Sequence, residues 1–299
     1  VRFRQGMPEK IGGWVRISAN TFLGICRSLH SWVTLTDLTV TSVGTHLKYY
    51  LERGGAYNDI TPLRATVSLS GPFATSSGSA VVTVTDANGG YKNNDFVTFS
   101  GASAVGGLTL NGEFQITYST GNTYTITASS AASSSASGGG TVSAVYQINT
   151  GAELAVPIEG WGAGDWGEST WGTGGTGEER LRVWSQGNFG EDLILGHRGS
   201  QLYFWDASES TPLSTRATLL SAESGASDVP TAQNIILVSD INRFVFCFGA
   251  NIISTSTQDP LLIRWSDQEN AVNWTPAATN QAGSLRLSRG SEIIAAEQT

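Results

Sequence analysis

KYYLE (48–52), YFWDA (203–207) and IRWSD (263–267) are three versions of one short run, in which aromatic or β-branched positions lead into an acidic residue, Glu52, Asp206 or Asp267. Each run sits in the same surroundings. LTVTSVGT (38–45) precedes the first, DLILGHRG (192–199) the second and RFVFCFGAN (243–251) the third, and the exits YNDITPL, RATLL and NWTPAA are polar or turn-like. Further upstream, GICRSLHSWVTLT, RLRVWSQGNFG and AQNIILVSDINR supply one more strand apiece, with Gly187-Asn188-Phe189-Gly190 and Asp240-Ile241-Asn242-Arg243 providing turn chemistry. A unit of two to four strands cannot cover both of its own faces, so repeated units must stack on one another, and blades around an axis satisfy that requirement. The final SEIIAAEQT (291–299) is expected to be the inner strand of a further blade, so that the chain looks processed or incompletely covered at its ends.

Composition agrees with many short strands. Glycine reaches 36 of 299 residues, methionine is single and charged residues make up only 14%. No apolar pattern at three- and four-residue spacing persists beyond about two turns, so the predicted fold class is all-β. A net charge of −8 argues against gripping nucleic acid through a basic face, while leaving room for a conduit past which DNA slides without phosphate contacts. Cys26 and Cys247 lie in the hydrophobic runs FLGICRSL and FVFCFGAN and read as two buried, reduced thiols. No segment has the length and apolarity of a membrane span, and no charged-then-apolar leader opens the chain.

Between Arg64 and Gly151 the texture changes to short Thr/Val/Ser-rich alternation: SAVVTVTD, DFVTFSG, GEFQITYS, NTYTITAS and TVSAVYQI. Five such strands suit a small sandwich or partly open barrel. The chain therefore divides into a propeller-like body, 1–64 and 151–299, and an inserted β-rich module, 65–150, placed in a loop of one blade with ITPLR and VPIEGW as its loop edges. The low-complexity run ASSAASSSASGGG (128–140) reads as a mobile hairpin tip. After the module, Trp161, Trp166 and Trp171 recur at a spacing of five among glycines, which makes this loop a possible contact surface: packing over a blade or neighbouring subunit, or a platform for carbohydrate.

Catalytic constellations are missing from the sequence. His30, His46 and His197 stand alone without metal-ligand spacing, and no nucleophile elbow or phosphate loop is present. SDQENAVNW (266–274) resembles the Asp-box turn of sialidase-type propellers but lacks the Gly-x-Thr before the Trp, and such a turn stabilises a blade rather than performing chemistry. Paired carboxylates at a glycosidase separation cannot be recognised from spacing. No catalytic, cofactor or metal site is predicted, and the expectation is a non-enzymatic protein.

VRFRQGMPEKIGGW (1–14), YNDITPL (57–63), GWGAGDWG (160–167) and IRWSDQENAVNWTP (263–276) followed by AGSLRL together resemble, in this order, the nozzle or tail-stabilisation (tail tubular) proteins of short-tailed bacteriophages. The resemblance covers 1–64 and 151–299, while TVTDANGGYKNNDFVTFSGA (83–102) resembles decoration domains of phage virion proteins. It implies a propeller-like subunit of a virion tail, assembled with itself as a ring, usually a hexamer, below the tail adaptor protein. Tail fibres or spikes would be further partners, and DNA would pass the lumen without sequence-specific binding. The alternative expectation is a receptor- or glycan-binding tail module, in which the inserted domain or the Trp161/Trp166/Trp171 loop meets the host surface.

Overall fold

The computed structural model describes residues 2–154 and 181–298, apart from 11, 14–17, 36, 88–89 and 210. The protein is all-β: every described element is a strand except two single-turn 3-10 segments. A short hairpin, β1 (Arg2–Arg4) and β2 (Met7–Glu9), is followed by the first sheet, β3 (Cys26–Val33), β4 (Thr39–Thr45), β5 (Tyr49–Arg53) and β6 (Ala56–Asp59). The module contributes β7 (Leu63–Ser70), β8 (Phe73–Thr75), β9 (Val81–Thr85), β10 (Phe96–Ser100), β11 (Gly112–Gln115), β12 (Tyr118–Thr120), β13 (Thr123–Thr127), β14 (Ala136–Gly138) and β15 (Thr141–Gln147). The second sheet holds β16 (Trp184–Phe189), β17 (Asp192–His197), β18 (Tyr203–Trp205) and β19 (Thr218–Leu219), and the third β20 (Ile235–Val238), β21 (Val245–Phe248), β22 (Leu262–Trp265) and β23 (Gly283–Arg286).

The first, second and third sheets are each four antiparallel strands in sequential order, the form a propeller blade has. The three aromatic runs occupy or adjoin the third strand of each: KYYLE at β5, YFWDA at β18, IRWSD at β22. Period-2 alternation explains how these sheets stack. On β17, Leu193 and Leu195 join a cluster with Val40, Tyr49 and Leu51 of the first sheet. Ile194, between them, joins Ile236, Val238, Val245 and Cys247 of the third. The second sheet is thus buried on both faces, and each fully buried aliphatic side chain contributes about 1.5–3 kcal/mol. Close approach needs small residues. A Cβ on Gly196 of β17 would lie 2.7 Å from Ile236 Cδ1, and one on Gly44 of β4 would lie 2.6 Å from Trp184 Cδ1. Across the first junction the Trp184 indole donates to the Thr45 carbonyl at 2.7 Å.

The module is two facing sheets, ordered β11-β10-β15-β7 and β12-β13-β9-β8-β14. Leu69, Val97, Phe99, Val142, Ala144 and Tyr146 of the first meet Phe73, Val82, Val84, Tyr124 and Ile126 of the second in one core. At its centre the Tyr146 hydroxyl donates to Asp86 Oδ2 at 2.7 Å and lies 2.8 Å from the Tyr124 hydroxyl.

Several expectations are corrected. ITPLR is no loop edge: β7 begins at Leu63 and pairs with β15. The module follows the last strand of the first sheet and precedes the first strand of the second, so it sits between sheets rather than in a loop within one. GEFQITYS forms two strands in two sheets, because the chain crosses at Ile116, which is fully buried and donates its N–H to the Asp95 carbonyl. The low-complexity run is packed rather than a free tip. Its Ala132 is buried and donates to the Ser79 carbonyl, and β14 pairs with β8, since Ala, Ser and Gly are small enough to lie against the module edge. Residues 291–298 form no strand, but Glu292 accepts from Asn234 and Gln298 accepts from the Asp240 N–H, so the segment is held at both ends of β20. Both cysteines are free, yet only Cys247 is buried, because Cys26 lies on the outermost strand of the first sheet.

Candidate functional site

Trp161, Trp166 and Trp171 lie outside the described residues. The three histidines fall in three separate environments. His30 stacks on Trp32 at 5.6 Å and meets Asn188 Oδ1 at 2.5 Å, joining β3 to β16. His46 Nδ1 accepts from the Ile25 N–H at 3.0 Å. His197 packs edge-on against Trp184 at 5.4 Å, and burial together with the neighbouring Arg182 cation pushes its pKa down to about 3, so it is neutral. Among the described residues no three His, Cys, Asp or Glu side chains form a group suited to a metal, and no helix is long and apolar enough to cross a membrane.

The Asp-box-like turn does what a structural turn does. Asp267 Oδ1 accepts from the Gln268 and Gln281 N–H groups at 2.9 and 2.8 Å, Asn270 Oδ1 accepts from the Val272 and Asn273 N–H groups, and Trp274 is driven into the core between the second and third sheets. A dense charge cluster lies elsewhere, at the base of the module. Lys48, at the start of the first aromatic run and 3% exposed, donates to Asp59 Oδ2 at 2.7 Å and Glu113 Oε1 at 2.6 Å. Arg216 donates to Asp59 Oδ1 at 2.6 Å, and Gln147 Nε2 donates to Glu113 Oε2 at 2.6 Å. Burial raises the Asp59 pKa, but the Arg216 and Lys48 cations outweigh it and hold the carboxyl below its usual range. Glu113 belongs to the module while Lys48 and Asp59 belong to the first sheet, so this network clamps one to the other. Every carboxylate in it is engaged by a cation, which suits anchoring and not acid–base work. Residues 48, 113 and 216 are too far apart in sequence for spacing to have revealed it.

The remaining feature of the body is its two outer faces. On the third sheet the residues pointing away from the second form two cross-strand rows, Ile235–Phe248–Ile263–Leu285 and Leu237–Phe246–Trp265. Phe246 lies 6.3 Å from both Phe248 and Trp265, and Leu285 is 56% exposed. On the first sheet, Leu29 and Val33 are 65% and 61% exposed, and Leu29 borders a groove of about 710 Å³ of mixed character, lined by Phe22, Val43 and Tyr57 together with Asn20, Thr41 and Glu52. The contiguous apolar rows of the third sheet are the kind of surface that marks interaction sites.

No protein-family model matches the chain, and no curated protein matches it. Among solved structures, the Phage phi92 endosialidase aligns over 90% of this chain and 37% of its own, at 14% identity and a TM-score of 0.27. This chain therefore spans little more than a third of that protein's length.

Proposed function

We propose that this chain is a structural subunit of a bacteriophage tail, a propeller-type blade stack that assembles with copies of itself into the nozzle ring below the tail adaptor. The observation that carries the reading is the apolar outward face of the third sheet, at one end of a stack whose middle sheet is buried on both sides, with Leu29 and Val33 exposed at the other end. A stack ending in apolar rows is built to be continued, and a head-to-tail contact between the third sheet of one copy and the first sheet of the next closes a ring where the rotation permits. The resemblance of the ordered motifs to those of tail nozzle proteins supports a place in the tail. The net charge of −8 suits a lumen that lets DNA slide, because few cations are present to displace its counterions. In this reading the protein is non-enzymatic, its carboxylates serve as clamps and turns, and fibres or spikes attach to the outside of the ring.

The test is imaging and mass together. Cryo-EM of the virion is expected to place this chain in a symmetric ring on the tail axis, and light scattering of the purified protein is expected to show a concentration-dependent oligomer. Phe246→Glu, on the open face, should leave the fold intact and give monomers. A wild-type protein monomeric at all concentrations and absent from the tail axis would refute the assignment.

A further inference from the structure

The junction between the module and the second sheet holds a cleft whose chemistry the assembly reading leaves unused. One lobe, of about 330 Å³, is lined by Leu63, Arg64, Ile148, Arg182, Ser200 and Tyr203 among others. A second lobe, of about 300 Å³, shares Arg182 and His197 with it and adds Arg198. None of the described residues lining either lobe is a carboxylate, in a chain with more acidic than basic residues.

The guanidinium groups here are short of partners. Arg182 is 5% exposed; its Nη2 donates to the Asn149 carbonyl, but Nε and Nη1 are buried without an acceptor among the described residues. Arg64 Nε and Nη2 are likewise buried and unpaired. Both planes are fixed by aromatic rings, Arg182 at 5.6 Å from Trp184 and Arg64 at 5.4 Å from Tyr146. The nearby buried carboxylate, Asp95, attracts Arg182 through space but gives it no hydrogen bond, because it already accepts from the Lys92 and Thr150 N–H groups, the Asn149 amide and the Thr150 hydroxyl. Buried cations with open N–H donors are costly unless an anion meets them. A carboxylate or phosphate matches the guanidinium fork, which a water molecule does not neutralise.

We propose that this cleft binds the oxyanion group, carboxylate or phosphate, of a small organic acid, with Arg182 and Arg64 as its two guanidinium ligands. The Leu63, Ile148 and Tyr203 side chains form the apolar wall against which the rest of the ligand lies, and Ser200 supplies a neutral polar group. The volume suits a molecule the size of a single acidic sugar or smaller. His197, neutral beside Arg182, borders the site without adding charge.

The full chain is titrated with glucuronate, acetate and inorganic phosphate at constant ionic strength, with chloride as the reference, by calorimetry and thermal melting. Saturable binding and a raised melting temperature are expected with at least one of them; a preference for glucuronate or acetate assigns a carboxylate ligand, and a preference for phosphate a phosphate ester. Arg64→Gln should weaken that binding at least tenfold without lowering the melting temperature of the anion-free protein. Arg182→Lys, which keeps the charge and loses the fork, should weaken it as well. The proposal is overturned if no anion exceeds chloride, or if affinity is unchanged in both variants.

Discussion

Replacing Lys48 with Met would test whether the module is clamped to the body by charge. The ammonium contacts Asp59 at 2.7 Å and Glu113 at 2.6 Å, and its side chain is 3% exposed against 19% and 32% for the two carboxylates. Met keeps the stem packed near Phe96 but leaves two carboxylates facing each other across the vacated position, with Arg216 as the remaining cation, 2.6 Å from Asp59 and 3.7 Å from Glu113. Removing one partner of a buried pair costs about 3–5 kcal/mol. The partial exposure of both acids and the surviving Arg216 contacts place this case lower, at about 2–3 kcal/mol. Glu113→Gln alone should cost about 1–2 kcal/mol, and much less in the Lys48→Met background, where it relieves repulsion. All nine tryptophans lie outside the module, so their fluorescence in urea reports the body, while amide exchange reports the module. The two transitions should coincide in the native protein and separate in Lys48→Met. The reasoning fails if Lys48→Met costs less than about 1 kcal/mol, or if Glu113→Gln costs the same in both backgrounds.

Other perturbations probe other parts of the architecture. Gly196→Ala should destabilise by about 1–3 kcal/mol, because its Cβ meets Ile236 Cδ1 at 2.7 Å, and Ile236→Val, which removes that atom, should recover part of the loss in denaturant titrations. Tyr146→Phe should cost about 1–3 kcal/mol by removing the hydroxyl bonded to Asp86 and Tyr124 inside the module, read from exchange of the β13 and β15 amides. Acid should act in two stages. His197 has a folded pKa of about 3 against about 6.5 unfolded, so the unfolded chain binds the extra proton and stability falls as pH drops through that window, by up to about 1.4 kcal/mol per unit; His197→Gln should flatten this slope. Asp59, whose folded pKa is depressed, contributes stability that is fully present above the unfolded Asp value of about 3.9 and is lost as pH falls through the lower folded value, and Asp59→Asn should remove that second stage.

The strands of the body were legible because each is a short alternating run bounded by turn residues, and the runs around Glu52, Asp206 and Asp267 repeat in one order; all three belong to four-stranded meanders. The low-complexity stretch misled for a physical reason. Serine, alanine and glycine signal disorder by composition, yet Ala132 is buried and Gly139, with φ of +112°, is used where a Cβ would lie 2.5 Å from Phe73 Cδ2. β7 was hidden because Pro62 precedes it and its outward residues are polar. The Lys48 clamp and the Arg64–Arg182 cleft were invisible for another reason. Each is assembled from residues on different sheets, and only the fold brings them within reach.

The two ends of the stack meet solvent in different ways. A repeat array that stands alone ordinarily needs end units with polar outer faces to stay soluble. The third sheet departs from that rule: it turns Phe246, Phe248, Ile263 and Trp265 outward in two aligned rows. Charge does not interrupt those rows, although Lys or Glu at any one of these positions would have been enough to discourage pairing. A row left apolar across β20, β21, β22 and β23 gains nothing from solvent and loses solubility by remaining open. Covering it would remove that cost; the outward face of the first sheet differs, because its rows, Leu29–Val43–Tyr50–Asp59 and Ser31–Thr41–Glu52–Tyr57, mix apolar side chains with carboxylates and hydroxyls.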